Sequence, residues 1–216
     1  MKKSVSQMQF VSESKRRVRS FILAYVRRSQ KYLDFYGNGE MYDLVQRKTN
    51  TKIVSIDSDP KLKSKLKQDN TIFTDLRSYC QRSTDSFDCM WLDYCGPFGD
   101  SCFDDLLYLP DIMDDKGHLF ITVRRGREYF IPKGTSRSVL EYGSLVVVQK
   151  QLMENNIKAE LIEKVKYKSI PEYTKGIRVG NSSTSMIVYG FEWTRLKRKS
   201  ESFKFNSIVK TLIDNV

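Results

Sequence analysis

Apolar residues recur along this chain in two rhythms. Over residues 12–29, Val18, Phe21, Ile22, Tyr25 and Val26 fall at i, i+3, i+4, i+7 and i+8, which puts them on one face of a helix. Ser12 and Ser14 are candidate caps, and Lys15, Arg16, Arg17, Arg19, Arg27 and Arg28 surround the rest of that helix. A different rhythm follows. KYLDFYG (31–37) is a short apolar strand closed by glycine, EMYDLVQRK (40–48) a helix, and KIVSID (52–57) a strand of alternating β-branched residues. Pro60 opens a further helix at a position that tolerates proline. TIFTDL (71–76) predicts a third strand, and FDCMWLDY (87–94) a fourth, ended by Gly96-Pro97. CFDDLLYLPDIM (102–113) is helical, with Pro110 breaking or kinking it, and GHLFITVRR (117–125) is a fifth strand. Residues 136–155 predict a helix closing at Asn155-Asn156. KAELIEKVKYK (158–168) and TSMIVYGFEWTRL (184–196) are two successive strands with the polar stretch GIRVGNSS between them.

Strands alternating with helices predict an α/β fold: a doubly wound, mostly parallel seven-stranded sheet with helices on both faces. The last two strands, with no helix between them, add an antiparallel C-terminal hairpin at one edge. The expected organisation is a basic N-terminal helical arm at 1–30, one domain at 31–200, and a helical tail at 201–216.

Composition narrows the classes. At 216 residues the chain fits one domain, and 40% hydrophobic with 12% aromatic residues excludes a disordered one. No apolar run approaches the roughly 20 residues of a membrane span. MKKSVSQMQF lacks an apolar signal core, so the expected location is intracellular, cytoplasmic or nuclear, and not secreted. The single histidine, His118, rules out histidine-cluster zinc sites and leaves little room for a Ser-His-Asp triad. Cys80, Cys89, Cys95 and Cys102 form no Cys-x-x-Cys pair, so they are read as reduced thiols and no metal is expected. Net charge is +11, unevenly spread: residues 1–31 carry nine Lys/Arg and one acid, whereas 32–123 carry ten and sixteen. An acidic centre flanked by basic segments suits a cationic cofactor in the middle and a polyanion, RNA or DNA, outside.

In doubly wound sheets ligands bind beyond the carboxyl ends of the strands. The first strand ends Asp34-Phe35-Tyr36-Gly37-Asn38-Gly39, whose glycines let the backbone turn sharply beside a ligand. The second ends Asp57-Ser58-Asp59-Pro60, with an acid positioned to accept from two ribose hydroxyls. The third ends Asp75-Leu76 and the fourth Asp93-Tyr94-Cys95-Gly96-Pro97-Phe98. Any one of these aspartates could be a helix cap or turn residue; four in succession read as a site.

Through YLDFYGNGE, IVSIDSDP, TIFTDL, FDCMWLDYCGP and the hairpin at 158–196, the chain resembles the class I, Rossmann-like S-adenosylmethionine-dependent methyltransferases over about residues 30–196. That family carries a reversed last strand after six parallel ones. The resemblance implies a methyltransferase with S-adenosyl-L-methionine as cofactor. It implies that Asp34, Tyr36, Gly37 and Gly39 wrap the methionine part, Asp57 and Ser58 hold the ribose, Asp75 and Leu76 the adenine, and that the Asp93–Pro97 loop faces the methyl. Asp93 and Tyr94 are the candidate catalytic residues, Asp93 as acceptor of a proton.

The acceptor is less determined. The loop lacks the double proline of nucleic-acid amino-methyltransferases, and Pro97-Phe98-Gly99 loosely resembles the loop of guanine-amino tRNA enzymes. Cys95 is not preceded by proline as the cysteine of cytosine-C5 enzymes is. For a ribose 2′-O enzyme, Asp93, Glu192 and Lys31 are the residues available, with Arg124-Arg125 where a lysine is expected. Arg124, Arg125 and Arg127, with Lys133 and Arg137, form a candidate phosphate rim, and Tyr129 and Phe130 could stack on a base. Lys15, Arg16, Arg17 and Arg19 are the candidate nucleic-acid contacts of the arm, which is expected to stand apart from the cofactor residues at 34–97. A nucleic-acid methyltransferase is the first reading. The alternatives are a protein or small-molecule acceptor, or an inactive nucleic-acid-binding subunit of the same fold.

Overall fold

A computed structural model of the chain describes residues 13–37, 39–59, 70–124, 137–169, 173–174, 177–178 and 184–197. The helix expected after Pro60, the tail at 201–216, Ser12 and residues 125–136 lie outside the described residues. The elements are α1 (Glu13–Val26), β1 (Lys31–Phe35), α2 (Glu40–Lys48), β2 (Lys52–Asp57), β3 (Thr71–Phe73), α3 (Leu76–Arg82), β4 (Phe87–Pro97), α4 (Asp100–Tyr108), β5 (Met113–Arg124), α5 (Arg137–Glu154), β6 (Ile157–Ser169), β7 (Tyr173–Thr174), β8 (Ile177–Arg178) and β9 (Thr184–Arg195).

Seven strands make one sheet in the order β3-β2-β1-β4-β5-β9-β6, and β7 pairs with β8 separately. Neighbours from β3 to β5 run parallel, while β9 is antiparallel to both β5 and β6. This is the expected wound sheet with its reversed C-terminal hairpin. The pleat sends alternate residues of each strand to opposite faces. In β4, Cys89 and Trp91 join Val18, Ile22, Leu23 and Val26 of α1 and Met41, Tyr42 and Val45 of α2. Met90 and Leu92 of the same strand join Leu76 and Tyr79 of α3, Cys102 and Leu106 of α4, and Leu145, Val148 and Leu152 of α5. Helices therefore cover both faces. Each fully buried aliphatic side chain is worth roughly 1.5–3 kcal/mol, so the four from α1 fasten that helix to the sheet.

Local chemistry moved several boundaries. β3 stops at Phe73, short of Asp75, because Asp75 caps α3: its carboxylate accepts from Ser78 N–H at 2.8 Å. The helix expected at 102–113 begins at Asp100 and ends at Tyr108, where Leu109–Ile112 form one 3-10 turn around Pro110. β5 starts at Met113 rather than at Gly117, through the polar stretch Asp114–Lys116. Gly117 is needed there: a Cβ would sit 2.2 Å from the Asp88 carbonyl oxygen and 2.6 Å from the Trp193 ring. α5 closes as expected, with Asn156 in the left-handed region at φ 60°. Among the described residues, no helix is long and apolar enough to cross a membrane.

Candidate active site

The carboxyl ends of the central strands open into a cavity of about 400 Å³. Phe35 and Gly37 line it from beyond β1, Ile56, Asp57 and Ser58 from β2, Thr74, Asp75 and Leu76 from the turn after β3, Asp93 and Tyr94 from β4, and Asp105 from α4. The strand-end acids of β2, β3 and β4 thus meet in one place.

The turn after β1 is built on glycine geometry. Gly37 has φ 53° and Gly39 φ 77°, both in the left-handed region. A Cβ on Gly39 would lie 2.7 Å from the Tyr36 hydroxyl, whereas one on Gly37 would meet nothing within 4 Å, so Gly37 faces open space. Asp57 ties the first two strand ends together. Its Oδ2 accepts the Gly37 N–H at 3.0 Å and its Oδ1 the Asp59 N–H at 2.8 Å. Each carboxylate oxygen keeps a further lone pair for a ligand hydroxyl.

Asp75 lines the cavity and caps α3 together, accepting from the Ser78 N–H and Oγ–H; these bonds hold its carboxyl below the usual range. Tyr94 lies on the α3/α4 face, and its hydroxyl donates to Asp105 Oδ2 at 2.5 Å. Burial pushes the Asp105 carboxyl up to about 6 and the Tyr94 phenol up as well, so the phenolic proton stays on oxygen. Phe35 meets the Tyr94 ring edge-on at 5.2 Å.

Asp93 alternates to the other face, the one covered by α1. Its Oδ2 lies 2.9 Å from Lys15 Nζ, with the two side chains only 16% and 18% exposed. Its Oδ1 is buried and has no hydrogen-bond partner. The sequence reading set the N-terminal helix apart from the cofactor residues; in the structure Lys15 of α1 is ion-paired to Asp93, which lines the cavity.

Asp34 lies beneath the cavity rather than in its lining. It is 1% exposed, and the Ser55 hydroxyl donates to its Oδ1. Burial raises its carboxyl from 3.8 to about 7. A raised folded-state value means that the protonated form is the stable one in the fold. The stability this contributes is complete below about pH 4 and is lost as pH rises through about 7. Asp34→Asn, neutral throughout, is expected to remove that decline. Unfolding midpoints measured from pH 4 to 8 check this: the parent should fall relative to the variant, and parallel curves would show that Asp34 does not titrate in this window.

The other expected site residues divide clearly. Tyr36 and Gly39 shape the glycine turn without lining the cavity. Arg16 and Arg17 are exposed, whereas Arg19, expected at the surface, is 6% exposed and ion-paired to Glu40 of α2, so it braces two helices. Arg124 ends β5 half-buried, with its Nε lacking a hydrogen-bond partner; Arg125, Arg127, Lys133, Tyr129 and Phe130 lie outside the described residues, as does the Arg137 side chain. Lys31 and Glu192 do not join Asp93. Lys31 opens β1 at the opposite end of the sheet and pairs with Asp85, and Glu192 lies opposite His118, four residues before the Thr122 that faces Asp93. Asp105 was missed, and Lys15, read as a nucleic-acid contact, is instead paired with Asp93. Helical spacing held the signal: Asp105 shares a face with Cys102, Leu106 and Leu109, and Lys15 with Val18, Ile22 and Val26. Among the described residues, no cluster of three or more His, Cys, Asp or Glu could hold a metal.

No protein-family model matches the chain, and no curated protein matches it. Solved structures do. P. horikoshii TYW2 in complex with MeSAdo matches with a TM-score of 0.57 at 13% identity, over 88% of this chain and 66% of that one. M. jannaschii TYW2 in complex with AdoMet matches at 0.53 and 15% identity, over 86% and 78%. The Methanococcus jannaschii fibrillarin pre-rRNA processing protein matches at 0.51 and 12% identity, over 80% and 70%. The chain spans about two thirds of the length of the first of these. At such identities the likeness is one of fold, and that fold is the class I, Rossmann-like fold of S-adenosylmethionine-dependent methyltransferases.

Proposed function

We propose that the chain is an S-adenosylmethionine-dependent methyltransferase acting on a nucleic acid. The observation that carries the first half is the Asp57–Gly37 bond, which joins the ends of β1 and β2 at the mouth of a cavity also lined by Asp75 and Asp93. The fit is chemical as well as spatial. A cavity of about 400 Å³ lies within the usual 300–1,000 Å³ range of small-molecule sites. Its carboxylates favour a sulfonium cation, and Asp57 keeps lone pairs for ribose hydroxyls. Gly37 leaves room beside the turn for the amino-acid end, and Asp75 and Leu76 flank the place for the base. When bound, the cofactor supplies an electrophilic methyl group. This chain's own contribution is to orient the acceptor and to take up its N–H or O–H proton, the role suited to Asp93 of β4. Two of the similar solved structures hold related adenosyl compounds, MeSAdo and AdoMet. Calorimetry with S-adenosylmethionine and with its demethylated product tests the reading; absence of binding at high micromolar concentration would refute it.

The nucleic-acid half rests on charge. Residues 1–31 carry nine Lys/Arg; Arg16 and Arg17 are exposed on α1 beside Lys15, the partner of Asp93, and Arg27 and Arg28 are exposed just beyond the far end of that helix. One of the similar structures is a pre-rRNA processing protein. Replacing Arg16 and Arg17 by glutamine is expected to weaken RNA or DNA binding and to shallow its salt slope by about one unit for each phosphate no longer neutralised. Fluorescence anisotropy across a salt series checks this; an unchanged slope would show that these arginines touch no phosphate.

A further inference from the structure

We propose that Lys15 is a positioning residue of the active site, holding the carboxylate of Asp93 in one orientation through its Oδ2. The inference rests on the methyltransferase reading and adds to it the N-terminal helix as a working part.

Asp93 lies in β4 four residues before its end, and rotatable side-chain bonds separate its carboxylate from the backbone. The sheet fixes its backbone through the pairing of Asp93 with Thr122, but nothing in the sheet fixes the direction of the carboxylate. Lys15 Nζ at 2.9 Å does. A flexible lysine stem fixes a direction only if its own base is fixed, and here it is. α1 is held by buried Val18, Ile22, Leu23 and Val26, and Arg19, one turn on from Lys15, is locked to Glu40 of α2. The ion pair is largely removed from water, at 18% and 16% exposure, where attraction is stronger than at an open surface.

The second oxygen points the same way. A buried acceptor without a partner is costly, by about 1–3 kcal/mol, and is therefore uncommon. Asp93 Oδ1 is such an atom, on a residue that lines the cavity. A carboxylate tethered at one oxygen and enclosed at the other keeps one orientation, and a proton acceptor depends on that orientation. Misplacing such a group by about 1 Å can cost on the order of 10²-fold in rate.

The test uses the full chain and three variants, Lys15→Met, Lys15→Arg and Asp93→Asn. Without any cofactor, the carboxyl ¹³C resonance of Asp93, assigned by its loss in Asp93→Asn, should move in Lys15→Met and return toward the parent in Lys15→Arg. With labelled S-adenosylmethionine and total RNA, Lys15→Met should lower kcat by on the order of 10²-fold, with cofactor affinity from calorimetry unchanged, and Lys15→Arg should recover much of the loss. In the Asp93→Asn background, Lys15→Met should cost little more. A resonance that does not move, or an equal loss in both backgrounds, overturns the proposal, since the lysine then acts through helix packing. If Lys15→Met does not fold, Lys15→Gln takes its place: an Asp93 resonance that does not move in Lys15→Gln overturns the proposal. A parent chain that binds no cofactor removes the underlying reading instead, and the resonance data distinguish the two failures.

Discussion

Asp93→Ala is expected to lower methyl transfer by about 10²–10⁴-fold, the range lost when a positioned proton acceptor is removed. Asp93 is the strand-end acid whose chemistry is least committed elsewhere. Asp57 receives two backbone amides, and Asp75 caps a helix, whereas Asp93 keeps one oxygen unpaired. The alanine variant also removes the carboxylate beside the Lys15 ammonium, so some loss of stability should accompany it. Asp93→Asn separates the two effects, because the amide keeps the shape and an oxygen toward Lys15 but takes up no proton. Both variants should bind S-adenosylmethionine by calorimetry and fail to move tritium from it into RNA, DNA or protein assayed side by side. Transfer at the parent's rate in Asp93→Asn would exclude a proton-accepting role.

The second large effect is on cofactor binding. Asp57→Ala should weaken S-adenosylmethionine affinity by about 10–10²-fold, from the roughly 1.5–3 kcal/mol carried by hydrogen bonds to a charged group. Two losses combine: the acceptor for ribose hydroxyls disappears, and the Gly37 amide loses the carboxylate that sets the glycine turn, at 3.0 Å. Asp57→Asn should fall between parent and alanine, since its single carbonyl oxygen serves one donor of the set. Calorimetric titration of the three proteins checks the order, and equal affinities would place the ribose elsewhere.

Much of this was legible in the sequence where one periodicity acted alone. The residues of β1, α2 and β2 follow clean alternation or clean helical spacing, and the observed bounds Lys31–Phe35, Glu40–Lys48 and Lys52–Asp57 match the pattern closely. Legibility failed where two demands met in one residue. Asp75 reads as a strand end and serves as a helix cap, so β3 is shorter than its apolar pattern. Asp114–Lys116 read as a loop, yet strand pairing carries β5 back to Met113. Lys15 and Arg19 read as surface charge because a count of charges has no direction, whereas the helix turns both inward. Glu192 was misplaced for a topological reason. β9 runs against its neighbours, so residues late in that strand lie at the end of the sheet away from the site.

That reversed strand also orders events in time. β9 is the last strand among the described residues, yet it is inserted between β5 and β6 rather than added at an edge. During synthesis, β5, with its apolar run Leu119, Phe120, Ile121 and Val123, is complete some sixty residues before the strand that will pair with it. Until β9 leaves the ribosome, the sheet has no way to join β6, and an apolar strand presents open hydrogen-bonding groups to any neighbour. The nascent chain is thus most exposed to aggregation just before β9 appears, and the Val188 and Met186 surface that α1 shares also forms only then. The helix that carries Lys15 is made before the sheet it packs on and is among the last of the described parts to be completed.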